Sequence, residues 1–138
     1  MNTNNRVIKY HKKMKITLVS KIDENLVEFK SDLGCGVAIW DNSKSLSNTY
    51  YNIELEIDDF FEWGKNITLE KIPGYGFYLI NNNMFFKAKV ISCEDTGILV
   101  LSLGRDIIFI ETSGTCEINS YVSFFTTSDN VMLFSIEL

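Results

Sequence analysis

The sequence predicts an all-β fold, one antiparallel β-barrel or β-sandwich of about nine to eleven short strands. Three observations carry that expectation. Apolar residues recur at every second position from Met14 onward, and clusters of Gly, Asn and Asp interrupt them at short intervals. No long stretch shows the 3.6-residue repeat of an amphipathic helix. A chain of 138 residues, 46% hydrophobic and 22% charged, is one ordinary domain able to bury a core without metals or disulfides.

The elements follow in order. MKITLVSKI and NLVEFKSD, parted by Asp23-Glu24, read as a hairpin, because a polar pair between two alternating runs is where an antiparallel chain reverses. GVAIWD follows the turn at Leu33-Gly34, and the polar loop NSKSLSNT leads into YYNIELEID. The best helical candidate is IDDFFEWG, residues 57 to 64, with Asp58 or Asp59 as cap and Gly64 as stop. ITLEKI, the Pro73-Gly74 turn and YGFYLI come next, alternation setting Tyr75, Phe77 and Leu79 against Tyr78 and Ile80. Asn81-Asn82-Asn83 turns the chain into MFFKAKVISCE. Thr96-Gly97, Gly104-Arg105 and Ser128-Asp129-Asn130 then separate GILVLSL, DIIFIET, YVSFFTT and VMLFSIEL. No interdomain linker, repeat or low-complexity segment interrupts the pattern, so the expected organisation is a flexible basic tail at residues 1–13 and one domain over 14–138.

Charge and residue inventory narrow the function. Arg6, Lys9, Lys12 and Lys13 precede the first acid, and setting them aside leaves nine of the 13 basic residues against 18 acidic ones, a net charge of −9 in place of −5. Such a body repels nucleic-acid phosphates and attracts basic proteins. The only histidine is His11, so the body holds no Ser-His-Asp or Cys-His pair and no two-His metal site. Cys35, Cys93 and Cys116 are odd in number and widely spaced, which suggests buried thiols and not a disulfide framework or zinc knuckle. No apolar run approaches the roughly 20 residues of a membrane span, and MNTNNRVIKYHKK lacks an apolar signal core, which points to the cytoplasm.

Two short patterns touch on chemistry. Glu28-Phe29-Lys30, with Asp23 upstream, matches half of a magnesium nuclease site, but three residues match by chance in a chain of this size. Gly34-Cys35-Gly36 and Gly74-Tyr75-Gly76 lack the following helix that a phosphate cradle needs, and read as turns or bulges. The expectation is a protein without catalytic residues, metal or cofactor.

YNIELEIDDFFEWGKNI holds the main candidate site. Glu54, Glu56, Asp58, Asp59 and Glu62 put five carboxylates within nine residues. If Ile53, Leu55 and Ile57 face the core, Glu54, Glu56 and Asp58 line one solvent face at roughly 7 Å intervals. A row on one strand is a poor octahedral cage, so it reads as a solvated face or, with Phe61 and Trp63 as anchors, a protein-binding one. Tyr75, Phe77, Tyr78, Phe85 and Phe86 suggest a further possibility, the stacking face of an OB-like barrel that binds single-stranded nucleic acid or oligosaccharide. Only Lys87 and Lys89 lie near them, which weighs against nucleic acid.

YNIELEIDDFFEWGKNI, with GILVLSLGRDIIFIET and the final pair YVSFF and VMLFSIEL, resembles small bacterial all-β immunity proteins of secreted or contact-delivered toxins. The resemblance implies a non-enzymatic inhibitor that covers the active face of a cognate, basic toxin protein with its own acidic surface. A self-associating structural domain is the remaining alternative.

Overall fold

The computed structural model describes residues 13–40 and 48–136, so residues 1–12 of the expected tail, His11 included, lie outside the described residues. Lys13 itself opens a strand. The elements are β1 (Lys13–Lys21), β2 (Leu26–Ser31), β3 (Gly34–Trp40), β4 (Tyr50–Ile57), β5 (Phe60–Phe61), β6 (Ile67–Glu70), β7 (Gly76–Ile80), β8 (Asn83–Cys93), β9 (Ile98–Leu103), β10 (Asp106–Thr112), β11 (Tyr121–Thr127) and β12 (Val131–Ser135). A single 3-10 turn, Ser128–Asn130, precedes β12.

The all-β expectation holds, with twelve strands among the described residues in place of nine to eleven. The extra strand is β5, in the segment that reads as a helical turn. Tertiary pairing overrides local propensity there, because Phe60 and Phe61 lie parallel to Glu111 and Thr112 of β10. Gly64, with φ +87°, does make the turn expected of it, but between β5 and β6.

Five strands form a closed barrel. β1 pairs with β2 and β4, β2 with β3, and β12 with β4, all antiparallel. β12 then closes the ring by running parallel to β3, Met132 beside Ile39 and Leu133 beside Trp40. The other seven strands separate β4 from β12 in the chain, so the ring is closed by a strand from beyond them. Eleven-residue β8 organises this second half, with β11 on one edge and β7 then β9 on the other. β9 continues to β10 and β5, and β11 continues to β6. The two ends of this curled sheet meet at the turn between β5 and β6, where the Gly64 N–H donates to the Ile67 carbonyl at 2.9 Å.

Alternation explains which faces are inside. Met84, Phe86, Ala88 and Val90 of β8 are buried while the residues between them are half-exposed. The strand β9 differs, since residues 99–103, apolar except for Ser102, are buried on both faces. A chain of phenylalanines links the two halves. Phe29 of β2 lies 5.6 Å from Phe77 of β7, Phe77 5.8 Å from Phe86, Phe86 5.1 Å from Phe124, and Phe124 5.2 Å from Phe61. These rings, offset, tilted or edge-to-face, gain favourable quadrupole contacts beyond area burial.

The halves join where β3 meets β7. Gly34 is the parallel partner of Phe77, and the Phe77 N–H donates to the Leu33 carbonyl at 3.0 Å. Gly34 has φ +147°, and a Cβ there would stand 1.9 Å from the Phe77 carbonyl oxygen. Gly76, at φ +143°, is equally confined, its Cβ falling 2.7 Å from the Leu33 oxygen. The two Gly-x-Gly motifs are therefore the facing sides of this joint.

Gly34→Ala should cost at least about 2 kcal/mol, because backbone and not a flexible side chain blocks the methyl. Gly74→Ala, whose Cβ would meet only Lys87 Cδ at 3.7 Å, should stay within about 0.5 kcal/mol. Urea unfolding of both variants checks this, and equal stabilities would refute the joint. Phe86→Ala should cost about 3–5 kcal/mol in the same assay, with both halves still unfolding in one transition.

Candidate functional site

The acidic stretch is split by the fold. Ile53 and Leu55 of β4 are fully buried, which turns Glu54 and Glu56 to the outer face of the barrel wall. Their cross-strand neighbours on β12 are Phe134 and Met132, both half-exposed, and Lys13 lies opposite Glu54 on β1. Asp58 extends the row just past β4, exposed, its N–H donating to the Asn130 carbonyl at 2.8 Å.

The remaining acids leave the row. Asp59 turns toward the protein: its Oδ1 accepts the Phe60 N–H and its Oδ2 the Thr126 hydroxyl, both at 2.7 Å. Asn130 Nδ2 donates to the same Thr126 oxygen at 3.0 Å, so the corner between β4 and β5 is tied to the end of β11. Glu62 stands beyond β5, where Lys65 Nζ approaches its carboxylate to 3.4 Å at the surface.

The aromatic anchors also need correction. Phe61 has no exposed surface and packs edge-on against Phe124, so it is core and cannot touch a partner. Phe60, 51% exposed, takes the outward position because β5 continues strand alternation in place of a helical turn. Trp63 is half-buried beside Gly114, its backbone N–H donating to Ser113 Oγ at 3.3 Å and its indole Nε1 buried without a hydrogen-bond partner.

Other expected motifs serve structure. Asp23 Oδ1 accepts the Asn25 and Leu26 N–H groups at 3.0 Å each, closing the turn between β1 and β2. Glu28 accepts the Ser20 hydroxyl at 3.0 Å. Among the described residues no three His, Cys, Asp or Glu gather to hold a metal, and no helix is long and apolar enough to cross a membrane. The cysteines are less buried than expected: Cys35 is exposed, and Cys93 and Cys116 are half-buried. Burial, and secondarily Cys93, raises the Cys116 thiol above its ordinary value.

The aromatic residues divide by strand parity. Phe77 is core, whereas Tyr78 stacks on Phe85 at 5.3 Å and Phe85 on Phe125 at 5.2 Å along the outer face of β7, β8 and β11. Tyr75 precedes β7 and does not share the inward face expected for it. It is 45% exposed against Tyr121, and the hydrogen bond between the two hydroxyls chiefly raises its pKa.

Sequence reasoning missed a basic cleft. Lys13 and Lys15 of β1, Lys30 and Asp32 at the end of β2, and Arg105 and Asp106 between β9 and β10 converge on one side of the barrel. Each contributes one or two residues, and outward alternation of Lys13 and Lys15 against Met14 and Ile16 was the only signal. Burial raises the Asp106 carboxyl above its ordinary value; Arg105 pulls it back, Asp32 pushes it up again, and Lys13 pulls it down.

The chain matches no protein-family model, no curated protein and no solved structure.

A carboxyl raised on folding contributes stability that is full below its unfolded value and is lost as pH rises through its folded value. Asp106→Asn should therefore raise Tm at pH 7, and the gain should shrink as pH falls toward the ordinary value of 3.8. Melting curves at both pH values test the sign; a gain that grows on acidification would refute it.

Proposed function

We propose that this chain is a non-enzymatic protein-binding module, an immunity-type inhibitor whose acidic β4 face covers a basic surface of a partner toxin. The observation that carries this reading is the setting of the row. Glu54 and Glu56 alternate beside Met132 and Phe134, and the row runs through Asp58 toward exposed Phe60, so charge and apolar surface lie side by side. Recognition surfaces combine these elements: apolar contacts supply affinity, and acids speed and orient the approach of a basic partner. The acids would occupy positions that substrate phosphates take on a nuclease.

A second reading has two observations in its favour. Numbered by their own order in the chain, the five ring strands run 1-2-3-5-4, the arrangement of OB-type barrels, and on the other seven strands the Tyr78–Phe85–Phe125 ladder, exposed at Tyr78 and half-buried at the two phenylalanines, supplies aromatic surface for an oligosaccharide or single strand. The nearest cations are few, and Lys87 already faces Glu70 at 4.0 Å.

Capture from a bacterial lysate on the tagged chain, at low and high salt, distinguishes them. One basic protein should be retained in near-equal amount and released as salt rises. Glu56→Lys/Asp58→Lys should weaken retention at least about tenfold with the fold retained. Asp59 is left intact because its bonds to Thr126 and Phe60 hold the corner. Unchanged capture by the folded double variant removes the acidic face from the reading, and retention of nucleic acid or glycan replaces it with the second.

A further inference from the structure

Two clefts meet on the barrel wall beside β1. One, about 730 Å³, is lined by Lys15, Thr17, Lys30, Tyr50 and Asn52 among others. The other, about 580 Å³, is lined by Lys13, Leu33, Arg105 and Asp106 among others, and both include Lys15, Ser31 and Asp32. They form one continuous seam.

Strand pairing explains why the seam is open. β1 pairs with β4 over Lys13 to Thr17, but with β2 only from Thr17 to Lys21, because β2 ends at Ser31 and turns through Asp32-Leu33 into β3. The Leu18 N–H donates to Thr49 on the β4 side at 2.8 Å. Alternation then sends the N–H and C=O groups of Lys13 and Lys15 out of the opposite edge, into the seam. Two residues of open edge are too short to template an added strand, so an extended peptide is a poor occupant.

The side chains point to a small anion. Lys13, Lys15, Lys30 and Arg105 face Asp32 and Asp106 here, a local excess of two positive charges on a chain whose net charge is −5. At the rim, Tyr50 is 74% exposed and offers a ring for stacking. Each cleft by itself has the room of a drug-sized or nucleotide-sized ligand. A long polyanion fits less well, because Glu54 stands directly across from Lys13 and the acidic row continues from it.

We propose that this seam binds a phosphate-bearing small ligand of nucleotide size, with Lys15, Lys30 and Arg105 on the phosphates and Tyr50 against a planar ring. This site uses none of the residues on which the acidic-face reading depends, so either can fail alone.

The test is titration of the full 15N-labelled chain with three probes, inorganic pyrophosphate, ADP and an eight-residue oligothymidine, followed by amide shifts. Saturable shifts are expected at Lys15, Lys30, Asn52 and Arg105, with ADP tighter than pyrophosphate. Lys15→Gln/Lys30→Gln should weaken both by at least tenfold with an unchanged melting curve, and Tyr50→Ala should weaken ADP but not pyrophosphate. Absence of saturation, shifts confined to Lys71, Lys87 and Lys89, or indifference to the double variant would overturn the site. Tighter binding of the oligonucleotide than of ADP would overturn the small-ligand assignment.

Discussion

The Phe77 carbonyl oxygen lies 1.9 Å from where a side chain at position 34 would begin, and the Leu33 carbonyl oxygen lies 2.7 Å from the same point at position 76. Only glycine permits that approach, and the rest of the molecule is arranged around it. Through this contact β3 of the barrel runs into β7, β7 into β8, and β8 pairs directly with β9 and β11, while β10 attaches through β9 and the short β5 and β6 through β10 and β11. The phenylalanine chain from Phe29 to Phe61 passes through the same region, so the joint is both a backbone contact and the middle of the core. The strand that completes the ring, β12, lies beyond the whole second half in the chain.

That dependence reaches the surface. The outer faces of β4 and β12 form one wall only because β12 inserts between β4 and β3, which sets Glu54 beside Phe134 and Glu56 beside Met132. Asp59 shows how closely an acid's role follows its position. One residue after exposed Asp58, it is bonded to Thr126 and the Phe60 amide and acts as a strut. Two neighbours of the same chemistry thus serve the surface and the framework separately.

The wall also segregates charge. Moving from the seam beside β1 across to β4, cations give way to acids at the Lys13 and Glu54 pair. The overall negative charge hides this local reversal, since an average over the chain carries no position.

The sequence by itself determined the strands. Period-two alternation and Gly or Asn punctuation locate eleven of the twelve, because inward and outward positions alternate strictly in any half-buried strand and turns need particular residues. It also set Glu54 and Glu56 outward, since their apolar neighbours had to be inside. Only tertiary structure decided the rest. β5 becomes a strand because β10 offers it an edge, and that choice buries Phe61, exposes Phe60 and turns Asp59 inward. The ring closure, the glycine joint and the basic seam likewise join segments far apart in the chain. Alternation fixes which side of its own strand a residue takes; which strand lies alongside is set by long-range pairing, and that leaves no local mark in the sequence.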